Sequence, residues 1–296
     1  MKLLHLGVFA VFLISGTLAL GQAANSETWK ATDAAMGRAG QDQPDGTHKY
    51  SMPRKDLNVS VSGVPIKAGL ALGSWAAFKS VGDQAVVMGD LVLTEDEVEP
   101  VMRKLQAGGI EITALHNHLL QESPKVMYMH IRGKGEAANL AKAIHDALAE
   151  TKTPAQTKSP AQAPKLDIDT AQIDQILGHA GKNNGGIYQV SVPRAERITE
   201  AGMPVPNSMG VATGINFQPT GGGKAAIAGD FVLIGKEVNP VIKALQSNGI
   251  EVVAVHSHML DEQPRLFFMH FWANDDAVKL AKGLRAALDQ MNVAKK

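Results

Sequence analysis

Apolar positions recur at helical spacing along this chain and alternate with short strand-like runs, and this order appears twice. Val98, Val101, Met102 and Leu105 are spaced i, i+3, i+4, i+7, which puts them on one face of a helix. Ala137, Leu140, Ala141, Ile144 and Leu148 do the same near residue 140. Around these helices lie short strand-like runs at His48–Met52, Asn58–Ser62, Leu70–Lys79 and Ala85–Leu93, then Glu111–His118 and Lys125–Arg132. Amphipathic segments, Trp29–Gly37 and Ile173–Gly178, open the two halves. Thr94 and Glu97 have the spacing of a capping box, but Pro100 favours a first turn and the second half has no Thr at the matching place. The helix is therefore expected to start near Glu97. Gly108-Gly109 and Asn248-Gly249 end it as left-handed caps.

The order strand–helix–strand–strand–helix predicts an α+β fold: an antiparallel sheet with helices on one face, related to a ferredoxin-like unit with extra strands before it. The chain is a tandem duplication of this unit. Gly89-Asp90 matches Gly229-Asp230, Glu97 matches Glu237, and Gly109-Ile110-Glu111 matches Gly249-Ile250-Glu251, all at an offset of 140. Pro53-Arg54 and Pro193-Arg194 share that offset. Residues 151–165, with Pro154, Pro160 and Pro164, form a Pro/Thr/Ala-rich linker between domains at 27–150 and 166–292.

Charge narrows the function classes. Twenty-nine basic and 29 acidic residues give a formal net charge of zero, so no basic excess points to nucleic acid or an anionic membrane. The chain has no cysteine, which excludes disulfides, thiolate metal sites and a Cys nucleophile. Residues 1–23 read as a signal peptide: Lys2, an apolar run from Leu3 to Leu20, then small residues at Ala19, Gly21 and Ala23. The mature chain is expected to be periplasmic or secreted, with no stable membrane insertion after cleavage.

Histidine carries the candidate chemistry. His116, His118, Glu122 and His130 are repeated as His256, His258, Glu262 and His270. Two His at i and i+2 of a strand share a face, and a paired strand can bring the third to it. Three imidazoles and a carboxylate suit a divalent transition metal, zinc first and copper as runner-up. The expectation is one such metal site in each repeat, with Glu122 and Glu262 as ligand or base. The spacing resembles the first half of the cupin metal motif, without its bracketing glycines. Gly89-Asp90 and Gly229-Asp230 are expected to end a strand, with Asp capping a turn or supplying a further acidic group. Met127 and Met129 are expected to be core, with Met129 facing away from His130.

The run from Gly89 to His130, with its copy from Gly229 to His270, resembles the LppY/LpqO family of exported proteins. The resemblance implies export and the duplicated architecture, and no activity. Lipid anchoring does not carry over, because there is no Cys. The sequence thus supports a metal-binding carrier, buffer or sensor. A metal-dependent hydrolase or a non-catalytic envelope module for glycan or protein are the alternatives. It names no protein partner.

Overall fold

The computed structural model describes residues 29–155 and 163–294. The signal-peptide reading at 1–23 and positions 156–162 of the linker lie outside the described residues. The first repeat runs α1 (29–36), β1 (Gln41–Asp42), β2 (His48–Pro53), β3 (Ser60–Val61), β4 (Val64–Pro65), α2 (Ala68–Ala71), β5 (Gly73–Val81), β6 (Gln84–Thr94), α3 (Glu95–Ala107), β7 (Glu111–His116), β8 (Glu122–Ser123), β9 (Val126–Gly135) and α4 (Ala137–Leu148). The second follows with α5 (Thr170–Leu177), β10 (Lys182–Asn184), β11 (Ile187–Pro193), β12 (Thr199–Glu200), β13 (Met203–Pro204), β14 (Ala212–Gly221), β15 (Lys224–Ile234), α6 (Val238–Ser247), β16 (Glu251–His256), β17 (Glu262–Gln263), β18 (Leu266–Asp276) and α7 (Ala277–Leu288).

Each repeat folds as the period pattern predicts. A six-stranded antiparallel sheet has the order β1-β2-β5-β6-β9-β7, and its copy has β10-β11-β14-β15-β18-β16. Strand β9 lies between β6 and β7, which are joined through α3; this is the split strand–helix–strand of a ferredoxin-like unit. Two small sheets, β4-β3-β8 and β13-β12-β17, sit beside the large ones. Helices cover one face of each sheet. In the first repeat Val87, Leu91, Leu93, Met129 and Ile131 pack there against Leu105, Ile144 and Leu148.

The other sheet face is buried as well, and this decides where the histidines go. Strand β6 is buried from Ala85 to Leu93 without a break. Odd-numbered residues face the helices, and Val86, Met88 and Val92 face the second repeat. Val92 and Tyr128 share a core with Ala226, Ala228 and Trp272, while Val86 and Met88 share one with Val232 and Phe268. The two sheets therefore pack inner face to inner face, helices outside, about an approximate two-fold relation. The alternation that a half-solvated sheet shows is absent for this reason.

Several boundaries differ from the expectation. Helix α3 starts at Glu95, with Glu97 accepting from the Thr94 N–H at 2.9 Å, so Pro100 lies inside it rather than in its first turn. In the second repeat Ile234 has no hydroxyl to return the cap, and a 3-10 turn at Gly235–Glu237 precedes α6. Leu70 lies in α2, not in a strand. Gly89-Asp90 and Gly229-Asp230 do not end strands; both sit in the middle of β6 and β15.

Arg54 explains one repeated pair. Its guanidinium, fully buried, donates to Glu97 at 2.6 and 3.1 Å and to the Val92 carbonyl at 2.7 Å. Arg194 repeats this with Glu237 and Val232. These pairs tie the sheet to its helix and carry no site chemistry.

Candidate metal centre

The six histidines of the two repeats meet in one cluster between the sheets. Strand β7 brings His116 there through a bulge. Ile112 pairs with Ile131 and faces the helices, yet Ala114 pairs with His130 on the inner face. The register shift between Ile112 and Ala114 adds the residue that reverses the parity. His116, opposite Tyr128, then shares the inner face with His130, and their ring centroids are 5.1 Å apart. The second repeat has the same shift between Val252 and Ala254.

His118 lies beyond the end of β7, so strand parity does not place it. It stacks between Tyr128 of its own repeat, at 3.6 Å, and His270 of the other, at 3.5 Å. His258 does the same between Phe268 and His130, at 3.6 Å each. His116 and His256 stack on one another at 3.7 Å. The expectation placed one histidine set in each repeat; the packing of the sheets instead interleaves the rings of both. One donor atom each from His116, His256, His258 and His270 lies within 4.8 Å of the others. A tetrahedral ion with bonds of about 2.1 Å has ligand separations near 3.4 Å, so a bound metal would draw the rings closer.

The ring chemistry suits a metal. All six Nε2 atoms are buried without a hydrogen-bond partner among the described residues. Buried polar atoms are ordinarily paired, so these nitrogens, four of whose rings each bring a donor atom within 4.8 Å of the others, could hold an ion. Burial lowers His116 to about 4 and His256 to about 3, the latter also through His116. Burial and neighbouring rings push His118, His130, His258 and His270 well below the usual value. Neutral imidazoles keep the lone pair a metal needs. His270 places Nδ1 3.0 Å from the Gly229 carbonyl; an N–H there donates and leaves Nε2 as the ligand atom.

Two acidic residues stand beside the histidines, where the sequence left turn capping and a further acidic group as alternatives. Asp90 pairs with His130 across β6 and β9, and its Oδ1 lies 3.8 Å from that ring's Nε2. Asp230 lies 3.6 Å from both His270 and His258. Burial raises the Asp90 carboxyl to about 8, partly offset by Lys49, and raises Asp230 well above the carboxylate range, aided by Asp90. A cation between them would relieve this cost. The signal was available: an acidic residue repeated in mid-strand within an apolar run needs a partner. Its glycine neighbour is also required. A Cβ on Gly89 would meet the Trp75 carbonyl at 2.7 Å, and one on Gly229 would collide with the Gly214 carbonyl.

Glu122 and Glu262 are placed differently from the histidines. Strand β8 pairs Glu122 with Val61, and its carboxylate accepts from the Val126 N–H at 3.1 Å. Glu262 accepts from the Leu266 N–H at 2.9 Å and from Arg265 at 3.2 Å. Each holds its own loop closed, and neither belongs to the four-histidine group. Met129 is fully buried on the helix face, away from His130, as alternation predicts.

Behind the cluster, on the β5/β14 side, a cavity of about 810 Å³ runs between the repeats. Asp90, Asp230, His118, His130 and His258 border it.

The family described as "Domain of Unknown Function (DUF1259)" matches residues 30–150 and again 171–290. A trimeric bacterial microcompartment shell protein, PduB, is similar at 12% identity over 87% of this chain and 96% of that one, with a TM-score of 0.24. EtuB from Clostridium kluyveri is similar at 10% identity over 85% and 89%, with a TM-score of 0.21. Likeness at this level carries no argument. No curated protein matches the chain.

Proposed function

We propose, for a chain that belongs to the Domain of Unknown Function (DUF1259) family through both of its halves, that it binds one divalent transition metal between its repeats. Zinc is the first choice and copper the second, because imidazole suits both. The observation that carries this reading is a cluster of six histidines whose Nε2 atoms are buried without a partner among the described residues, four of the rings each bringing a donor atom within 4.8 Å of the others. His116, His256, His258 and His270 are the proposed ligands, with Asp90 and Asp230 beside them. We extend the reading to an exported metal carrier, buffer or sensor; the apolar run Leu3–Leu20 and the resemblance to LppY/LpqO proteins support export.

Metal-dependent hydrolysis is the second reading. One observation favours it: the cavity reaches the cluster, as a substrate route must. Asp90 or Asp230, rather than Glu122 or Glu262, would then be the nearest carboxylate to activate water.

Elemental analysis of untagged protein, purified without added metal, tests the proposal. About one zinc or copper per chain is the expected result. Metal-free protein that also fails to take up either ion on titration would refute it.

A further inference from the structure

The cavity behind the histidines is asymmetric, although the repeats that form it are copies. Across the inner face of the first sheet, Ser51, Trp75, Asp90 and His130 are paired in a row. The second sheet has Ser191, Gly214, Asp230 and His270 at the same places. Trp75 fills its side: a Cβ on Gly210 would already touch the indole at 3.1 Å. At Gly214 a Cβ meets nothing within 4 Å. One copy has therefore closed its approach to the carboxylates and the other has kept it open. The side chain of Asp230 is accordingly 20% exposed and that of Asp90 only 9%.

The walls carry one sign of charge. Arg38, Lys49, Lys55 and Lys67 border the cavity, while its two carboxylates lie at the floor with the histidines. Lys49 is a wall cation whose charge acts on Asp90. Its ammonium donates to the Ser208 carbonyl at 2.7 Å and lies 4.2 Å over the Trp75 ring, which leaves further N–H donors. Burial lowers it to about 8, partly offset by Asp45 and Asp90. The second repeat has Gln189 at the matching position. A divalent metal on the floor would balance the two carboxylates there, so the cavity's remaining charge is that of its wall cations.

We infer that this cavity binds a small molecule bearing an anionic oxygen group, a carboxylate or a phosphate, which enters past Gly214 and reaches the metal beside Asp230 with Lys49 as its counter-charge. The inference rests on the metal reading and adds the class of the second ligand. It accounts for the different residues at two equivalent positions, which a closed storage site would not require.

Cobalt(II) and azide supply the test. The full chain is loaded with cobalt, its metal content measured, and its visible spectrum followed as sodium azide is added. The wild type is expected to show a saturable spectral change. Gly214→Trp, which copies the first repeat's residue into open space, is expected to keep its cobalt and lose the azide response. Lys49→Gln, which copies the second repeat, is expected to keep cobalt and bind azide roughly tenfold more weakly, the effect of one charge-assisted hydrogen bond. Cobalt bound with a spectrum indifferent to azide would overturn the inference alone. An unchanged azide response in both variants would do the same. Failure of the wild type to bind cobalt would remove the metal reading together with the inference.

Discussion

His116 and His256, 140 positions apart in the chain, lie ring on ring with 3.7 Å between their centroids. Each belongs to an edge strand of a different sheet, and neither could reach the other unless the two sheets packed inner face to inner face. Four predictions follow from this arrangement and the contacts around it.

The metal stoichiometry should be one per chain, not two. His116→Ala should weaken metal binding at the whole site, and His256→Ala should do the same, although the two lie in different repeats. Each loss should exceed the ~10–100-fold that changes beyond the ligand shell cost. Competition titration with a chromogenic chelator measures it. Half the metal retained at full affinity in either single variant would show two independent sites.

Glu122→Ala and Glu262→Ala should keep their metal and lose stability. Each carboxylate accepts from a buried backbone N–H, of Val126 or Leu266, and leaving that donor unpaired costs about 1–3 kcal/mol. Chemical denaturation and elemental analysis on the same samples separate the two effects. Loss of metal at unchanged stability would make these residues ligands after all.

Cutting the chain within 151–165 should leave the halves together. Besides the shared cores, Asn216 donates to the Leu70 carbonyl at 3.0 Å, Gln218 to the Pro65 carbonyl at 2.7 Å, and Lys49 to the Ser208 carbonyl at 2.7 Å. After insertion of a protease site, the nicked protein should co-elute as one species and keep its metal. Separation without denaturant would contradict this packing.

Acid should release the Arg54–Glu97 anchor in a defined direction. Burial alone would raise the Glu97 carboxyl, but hydrogen bonds from Arg54 and from the Thr94 and Lys152 N–H groups outweigh it and hold it below the usual value. A depressed folded-state value stabilises above the unfolded value of about 4.3, and the contribution is lost as pH falls through the folded one. Glu97→Gln should therefore cost about 3 kcal/mol at pH 7. The gap to wild type should narrow steadily below about pH 4 in urea melts. A gap independent of pH would assign the loss to shape instead of charge.

The sequence by itself determined the repeat, the helix faces and most of the strands, because helical spacing and short apolar runs are local properties that can be read along the chain. It also marked all six histidines, since their spacing recurs at an offset of 140. It did not determine how many sites they make. That depended on the inner sheet faces meeting, which shows only in the unbroken burial of Ala85–Leu93 in the fold. Nor did it place Asp90 and Asp230, which turn-capping chemistry explained as well as site chemistry until the strands were seen to run past them. Parity counted from Ile112 sends His116 to the helix side; a single bulge reverses it, and a bulge is set by pairing with β9 and not by β7 alone. The tertiary structure decided the site because its members come from different repeats, and contacts between distant segments leave no period along the chain.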